Sequence, residues 1–148
     1  MDINDFLKNR DLSTYTNDSF SKKVEKPWGY EILFTPPTIS YAGKIIHIEA
    51  GKRLSLQVHD KKQESYTIAS GRGGVMLENT NGEMEEIELQ PGTGLTVAIG
   101  QKHRLFGITD CDIFEVSTPE IGTTFRLEDD YNRPDETEEL RNKEREEI

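Results

Sequence analysis

The chain has 148 residues, 33% of them hydrophobic and 31% charged, with a formal net charge of −10 and a single cysteine. That length buries one sizeable core and supports no second one. The acidic balance gives no electrostatic footprint for nucleic acid, and no apolar run approaches the ~20 residues of a membrane span.

Residues 1–25 hold few apolar positions (Ile3, Phe6, Leu7, Phe20), enough for a short helix or an arm that docks on the core domain. The opening MDINDFLKNR has no signal-peptide apolar stretch, and Cys111, beside Asp110 and Asp112, has no disulfide partner in the chain. A reducing, cytoplasmic location is therefore expected, with Cys111 structural. From Trp28 the pattern changes to short runs rich in β-branched and aromatic residues: WGYEILF, GKIIHIE, RLSLQVH, ESYTIAS, GGVMLEN, MEEIEL, GLTVA, HRLFGI and CDIFEVS. Turn chemistry such as Asn81-Gly82 and Pro91-Gly92 separates them. Nine runs at turn-sized spacing predict an all-β sandwich or barrel, and a jelly roll accommodates them around a cavity. Residues 128–148 carry ten Asp or Glu against four Arg or Lys. The stretch after Pro134 reads as a charged helix, with Glu139 and Lys143 at i, i+4, or as a disordered tail, the solvated tail being favoured. The expected organisation is an arm over 1–25, a core domain over 26–133 and a charged C-terminal helix or tail over 134–148.

Chemistry concentrates between Gly51 and Gly71, where GKRLSLQVHDKKQESYTIASG carries Gln57, His59 and Glu64. Side chains alternate along a strand, so Gln57 and His59 share a face. Asp60 to Gln63 suit a hairpin turn that returns Glu64 beside His59 on an adjacent antiparallel strand. A fourth donor, His103, comes after a glycine turn in GTGLTVAIGQKHRLF. Two imidazoles, an amide oxygen and a carboxylate form a mixed N/O set for a divalent metal ion, zinc first, with manganese, iron, cobalt or nickel also accommodated. Arg53 and Ser55 share the parity of Gln57 and His59. If that set faces the cavity, Leu54, Leu56 and Val58 face outward and need a cover, which a second subunit or the N-terminal arm could supply; a homodimer is predicted. His47, outside these segments, reads as an ordinary strand position.

These two segments match the cupin pattern: Gly, five residues, His-x-His, four residues, Glu, six residues, Gly, then Gly, five residues, Pro-x-Gly, two residues, His. Gln57 stands at the first His, Ala98 at the Pro, and Gly107 where an Asn is common. Together with KPWGYEILF (Lys26 to Phe34), GQKHRL (Gly100 to Leu105) and FRLEDDYNR (Phe125 to Arg133), the chain resembles the type II mannose-6-phosphate isomerases over about residues 26 to 133. In that family the first ligand position is already Gln. The resemblance implies a cupin jelly roll, Gln57, His59, Glu64 and His103 as metal ligands, and reversible interconversion of mannose 6-phosphate and fructose 6-phosphate.

It further implies Arg53 as an active-site residue. Lys102 is a second catalytic candidate, provided that burial or neighbouring cations lower its pKa. Arg53, Lys62, Tyr66 and Arg133 are the candidate substrate contacts, with Arg104 and Arg126 as further cations near the mouth or on a solvated face. The chain departs from the family after His59, where Asp60, Lys61, Lys62 and Gln63 replace two histidines and an Arg, and at Ser65-Tyr66, where His-Trp is usual. Lys62 keeps a charge without the planar fork that Arg offers a phosphate, and Tyr66 can stack on a sugar ring or simply pack. The expected partner is a small phosphosugar; the alternatives are a non-catalytic cupin that binds sugar or nucleotide-sugar and a metal-dependent oxygenase.

Overall fold

A computed structural model describes residues 1–146. The short helix α1 (Ile3–Lys8) is capped by Asp2, whose carboxylate accepts from the Asn4 N–H at 3.0 Å, and it buries no residue. Eleven strands come next: β1 (Lys22–Lys26), β2 (Gly29–Leu33), β3 (Ala42–Ile48), β4 (Leu56–His59), β5 (Glu64–Ser70), β6 (Gly73–Glu78), β7 (Met84–Glu88), β8 (Leu95–Val97), β9 (His103–Gly107), β10 (Cys111–Ser117) and β11 (Thr124–Glu128). Helix α2 (Glu138–Glu146) closes the described chain. The strands form two antiparallel sheets, one in the order β1-β2-β3-β10-β5-β8, the other β11-β4-β9-β6-β7. This is the jelly-roll sandwich expected from the nine runs. No helix among the described residues is long and apolar enough to cross a membrane.

The inward faces of the six-stranded sheet are graded along their length. On β3 the inward positions are Lys44, Ile46 and Ile48; on β10 they are Cys111, Ile113, Glu115 and Ser117; on β5 they are Glu64, Tyr66 and Ile68. Register aligns like with like. Ile46, Ile113 and Ile68 form one row, and Lys44, Glu115 and Tyr66 form the next. One end of the sandwich is therefore an apolar core, joined by Trp28, Val75, Val97 and Leu105. The other end is a polar cavity whose walls are charged.

Helix α2 packs at the polar end, so Glu138–Glu146 form a helix and not the solvated tail favoured by composition, while 147–148 lie outside the described residues. Arg141 is buried; it donates to the carbonyls of Glu120 (3.0 Å) and Gly122 (3.2 Å) and to Glu136 (2.9 Å). Desolvating the guanidinium is offset because each bond is charge-assisted. Two strands lie outside the nine runs. β1, KKVEK, begins at Lys22 inside the expected arm and buries only Val24; it is an edge strand, and edges tolerate charge. β11 is the edge strand of the other sheet and buries only Thr124.

Leu54 belongs to the core rather than to an outward set. Regular β4 begins only at Leu56, so alternation does not extend back through Ser55 to Leu54 and Arg53. Leu56 and Val58 are half-buried.

Candidate metal centre

The donors come from both sheets. His59 ends β4, His103 opens β9, and Gln57 lies opposite His103 in the register of those two strands. Glu64 opens β5 in the other sheet. The expected β4–β5 hairpin does not form, because Asp60 to Gln63 carry the chain across from one sheet to the other. Glu64 consequently meets His59 across the sandwich interior rather than along a shared ladder. Facing sheets place donors on opposite sides of one point, an arrangement suited to enclosing an ion.

His59, Glu64 and His103 are 4%, 2% and 0% exposed. Their ligand atoms all lie within 4.8 Å of one another, and the two imidazole centroids are 4.9 Å apart. Both Nε2 atoms approach the same oxygen, Glu64 Oε1, at 3.0 Å from His59 and 2.9 Å from His103. The His103 Nδ1–H donates to the Gln101 carbonyl at 2.9 Å, which leaves Nε2 as a lone pair aimed into the site. That Nε2 is buried without a hydrogen bond and faces Glu64 Oε1. Two acceptors facing each other in a dry interior are costly unless a cation lies between them, so the residues present fit a divalent metal ion. His59 is oriented by Thr124, whose Oγ1 lies 2.9 Å from Nδ1 and, as a hydroxyl, can serve either tautomer.

The local electrostatics keep His59 and Glu64 in their ligating forms. Burial pushes the His59 imidazolium toward its neutral form, against the pull of Glu64. Burial raises the Glu64 carboxyl, but Lys62, the strongest of the opposing neighbours, holds it well below the usual carboxylate range. Lys62 Nζ lies 3.1 Å from Glu64 Oε2, and the Tyr66 hydroxyl donates to Glu64 Oε1. Burial first, and Glu64 second, push the Tyr66 phenol well up.

Around the donors the cavity is lined by Gln57, Lys62, Tyr66 and Arg133, all named as candidates from the sequence, and also by Lys26, Glu31, Lys44, Glu115 and Glu136, which sequence reasoning missed. Lys44 links Glu31 (3.2 Å), Glu115 (3.7 Å) and Glu120 (2.8 Å). Burial and the neighbouring Glu64 push the Glu115 carboxyl up to about 8. The sequence carries a signal for two of these residues: Lys44 and Glu115 sit on the apolar parity of KIIHI and CDIFEVS, where a charge has to be matched. Arg133 lines the cavity while clamped on Asp129 at 2.9 and 3.0 Å.

Two expected residues lie elsewhere. The Arg53 side chain is 49% exposed and forks onto Asp130 at 2.7 and 2.8 Å, because the irregular backbone before Leu56 turns it out of the inward set. Lys102 is exposed just before β9, one position out of phase with His103, and its backbone rather than its ammonium bonds Glu78. Of the further cations, Arg126 lines the cavity, whereas Arg104 is buried but bonds the Leu54 carbonyl at 2.8 Å. His47 sits on the outer face, 2.7 Å from Asp112 and stacked on Tyr30. Cys111 is buried, and burial, then Asp112, push its thiol up to about 11.

A family model described as mannose-6-phosphate isomerase C-terminal matches residues 13–136. No curated protein matches the chain. Among solved structures, a mutant of Bacillus subtilis oxalate decarboxylase aligns with a TM-score of 0.65 at 19% identity, over 79% of this chain and 34% of that one. A second oxalate decarboxylase structure from Bacillus subtilis, described for its Mn(II) centres, gives 0.63 at 17% identity with the same coverage. KdgF from Halomonas sp. gives 0.57 at 15% identity, over 70% of this chain and 87% of that one. The chain spans about a third of the length of the oxalate decarboxylase chains. At these identities the likeness is one of fold, the cupin jelly roll.

Proposed function

The chain belongs to the mannose-6-phosphate isomerase C-terminal family of cupins, and on that premise we propose that it is a metal-dependent aldose–ketose isomerase of phosphosugars, with mannose 6-phosphate and fructose 6-phosphate as the substrate pair. The observation that carries this reading is the buried His59–Glu64–His103 cluster within a chain that matches that family.

Gln57, His59, Glu64 and His103 would hold the ion, zinc in the first instance and manganese as the alternative. When bound, the ion supplies a Lewis acid that polarises the carbonyl and hydroxyl oxygens of the sugar. The chain's own residues do the rest. Gln101 and Thr124 fix the two imidazoles, and the Tyr66 hydroxyl keeps Glu64 turned into the cavity. The Lys62 ammonium, buried beside Glu64, would meet the negative charge of the substrate, and such preorganised charge is most effective where water is excluded. Arg133 offers a guanidinium at the cavity wall.

The test is NMR of mannose 6-phosphate incubated with zinc- or manganese-loaded protein in deuterated water. Deuterium alpha to the carbonyl together with fructose 6-phosphate supports the reading. Neither appearing, across a panel of hexose and pentose phosphates, removes it.

One observation favours a second reading, a non-catalytic cupin that binds sugar or nucleotide-sugar. The cavity at the donors encloses about 50 Å³, well under the ~300 Å³ at which small-molecule pockets begin, whereas a pocket of about 520 Å³ lies outside it, away from the donors. Ligand-induced thermal stabilisation without any isotope exchange is what that reading predicts.

A further inference from the structure

Three cations carried by three different elements converge on one loop carboxylate. Glu120 lies between β10 and β11; its Oε1 takes Lys44 Nζ from β3 at 2.8 Å and Lys62 Nζ from the β4–β5 connection at 3.5 Å, and its Oε2 takes the Arg145 guanidinium from α2. The Glu120 side chain is only 9% exposed. Burial raises its carboxyl, yet Lys44, Lys62 and Arg145 hold it well below the usual range. Convergence of two ammonium groups and a guanidinium on two oxygens is the geometry by which proteins grip a phosphate.

Space is distributed around the same point. Outside the small metal cavity lies a second pocket of about 520 Å³, between the 34–41 loop, the Pro119–Ile121 turn and α2. Lys44 lines both, whereas Glu120 and Arg145 line only the outer one. The loop backbone is anchored independently of the Glu120 side chain. Gly122 N–H donates to Glu138 at 2.6 Å, Thr123 N–H donates to Asp60 at 2.8 Å, and Arg141 holds the Glu120 carbonyl. Gly122 adopts a φ of 77°, and a Cβ there would collide with Asp60 Oδ1, so the loop seats closely on the β4–β5 connection. With the backbone held, rotation about the side-chain bonds of Glu120 is the motion that would carry its carboxylate out of the cradle.

We propose that Glu120 is a built-in stand-in for an anion, and that Lys44, Lys62 and Arg145 form the phosphate-binding cradle of a ligand entering from the 520 Å³ pocket. This deepens the isomerase reading and rests on it for the identity of the ligand as a sugar phosphate; the cradle itself needs only phosphate. Lys44 retains Glu31, and Lys62 retains Glu64, when Glu120 leaves, so neither ammonium is stranded by the exchange.

The test is titration of inorganic phosphate, mannose 6-phosphate and mannose into the full chain, monitored by ³¹P and protein NMR. If the stand-in fills the cradle about nine-tenths of the time, removing its charge raises apparent phosphate affinity about ten-fold. Glu120→Gln is expected to show that gain for inorganic phosphate and mannose 6-phosphate and none for mannose. Arg145→Gln is expected to weaken phosphate binding, and phosphate is expected to shift the Arg145 side-chain signals of the unaltered protein. Should Glu120→Gln fail to fold, the Arg145→Gln and unaltered-protein measurements carry the test. Phosphate affinity unchanged or reduced in a folded Glu120→Gln, or unchanged in Arg145→Gln, overturns the cradle. A protein that binds phosphate in this way but exchanges no deuterium keeps the cradle and loses the isomerase reading. One that isomerises while Glu120→Gln leaves KM unaltered loses the cradle alone.

Discussion

His103 Nε2 and Glu64 Oε1 face each other at 2.9 Å, from opposite sheets, with no hydrogen bond between them. Because Nδ1 of the same ring already spends its proton on the Gln101 carbonyl, the close approach brings two acceptors together. A proton or a cation has to satisfy them, and the neighbouring His59 Nε2, 3.0 Å from the same oxygen, supplies a third donor to a cation placed there. The metal assignment rests on this relationship more than on any motif.

Thr124 reaches His59 Nδ1 without itself belonging to the donor set. Partners of this kind are worth about 10- to 100-fold in metal affinity. Thr124→Val is therefore expected to lower affinity for a divalent ion within that range, with the circular dichroism spectrum unchanged. Competition against a chelator of known affinity measures it.

Glu136 predicts the acid behaviour of the fold. Burial raises its carboxyl, but Lys26, Lys44 and Arg141 hold it at about 2 against an ordinary 4.5. Since the folded value is depressed, the stabilisation is fully present above pH 4.5 and disappears as pH falls through about 2. At about 1.4 kcal/mol per unit this is on the order of 3 kcal/mol. Urea unfolding of Glu136→Gln should show a loss of that order at pH 7 that shrinks towards zero near pH 2. An equal loss at both pH values would count against the ion-pair account.

Arg53 forks onto Asp130 with both side chains about half exposed. Exposed pairs contribute about 0.2–1 kcal/mol. Arg53→Ala is expected to cost no more than that in thermal or urea unfolding, and to leave metal stoichiometry and turnover within about three-fold, since the side chain reaches neither the donors nor the cavity wall. Loss of turnover in a folded Arg53→Ala protein would show that the residue swings inward with substrate bound.

The place of Arg53 also shows where a sequence stops being informative. The His59, Glu64 and His103 cluster is legible because these residues lie in two short motifs whose internal spacing is local. Strand parity carries no further back than Leu56, and Arg53 lies beyond it, across a stretch that is not regular strand. The β4–β5 connection has the composition of a hairpin, although a four-residue link can equally cross from sheet to sheet; only pairing partners decide between these. β1 and β11 escape pattern reading because edge strands need few apolar residues. The wall formed by Glu31, Lys44, Glu115 and Glu136 draws on separate strands and loops, and its convergence is a property of the topology. Even so, Lys44 and Glu115 break the apolar parity of their strands in plain view.

The most direct test of the metal centre is elemental analysis of the protein after chelation and reloading, beside the His59→Ala/His103→Ala double variant. One tightly bound divalent ion per chain in the unaltered protein, absent from a folded double variant, is the result the geometry requires. No bound ion in the unaltered protein, or the same ion retained by the double variant, would contradict it.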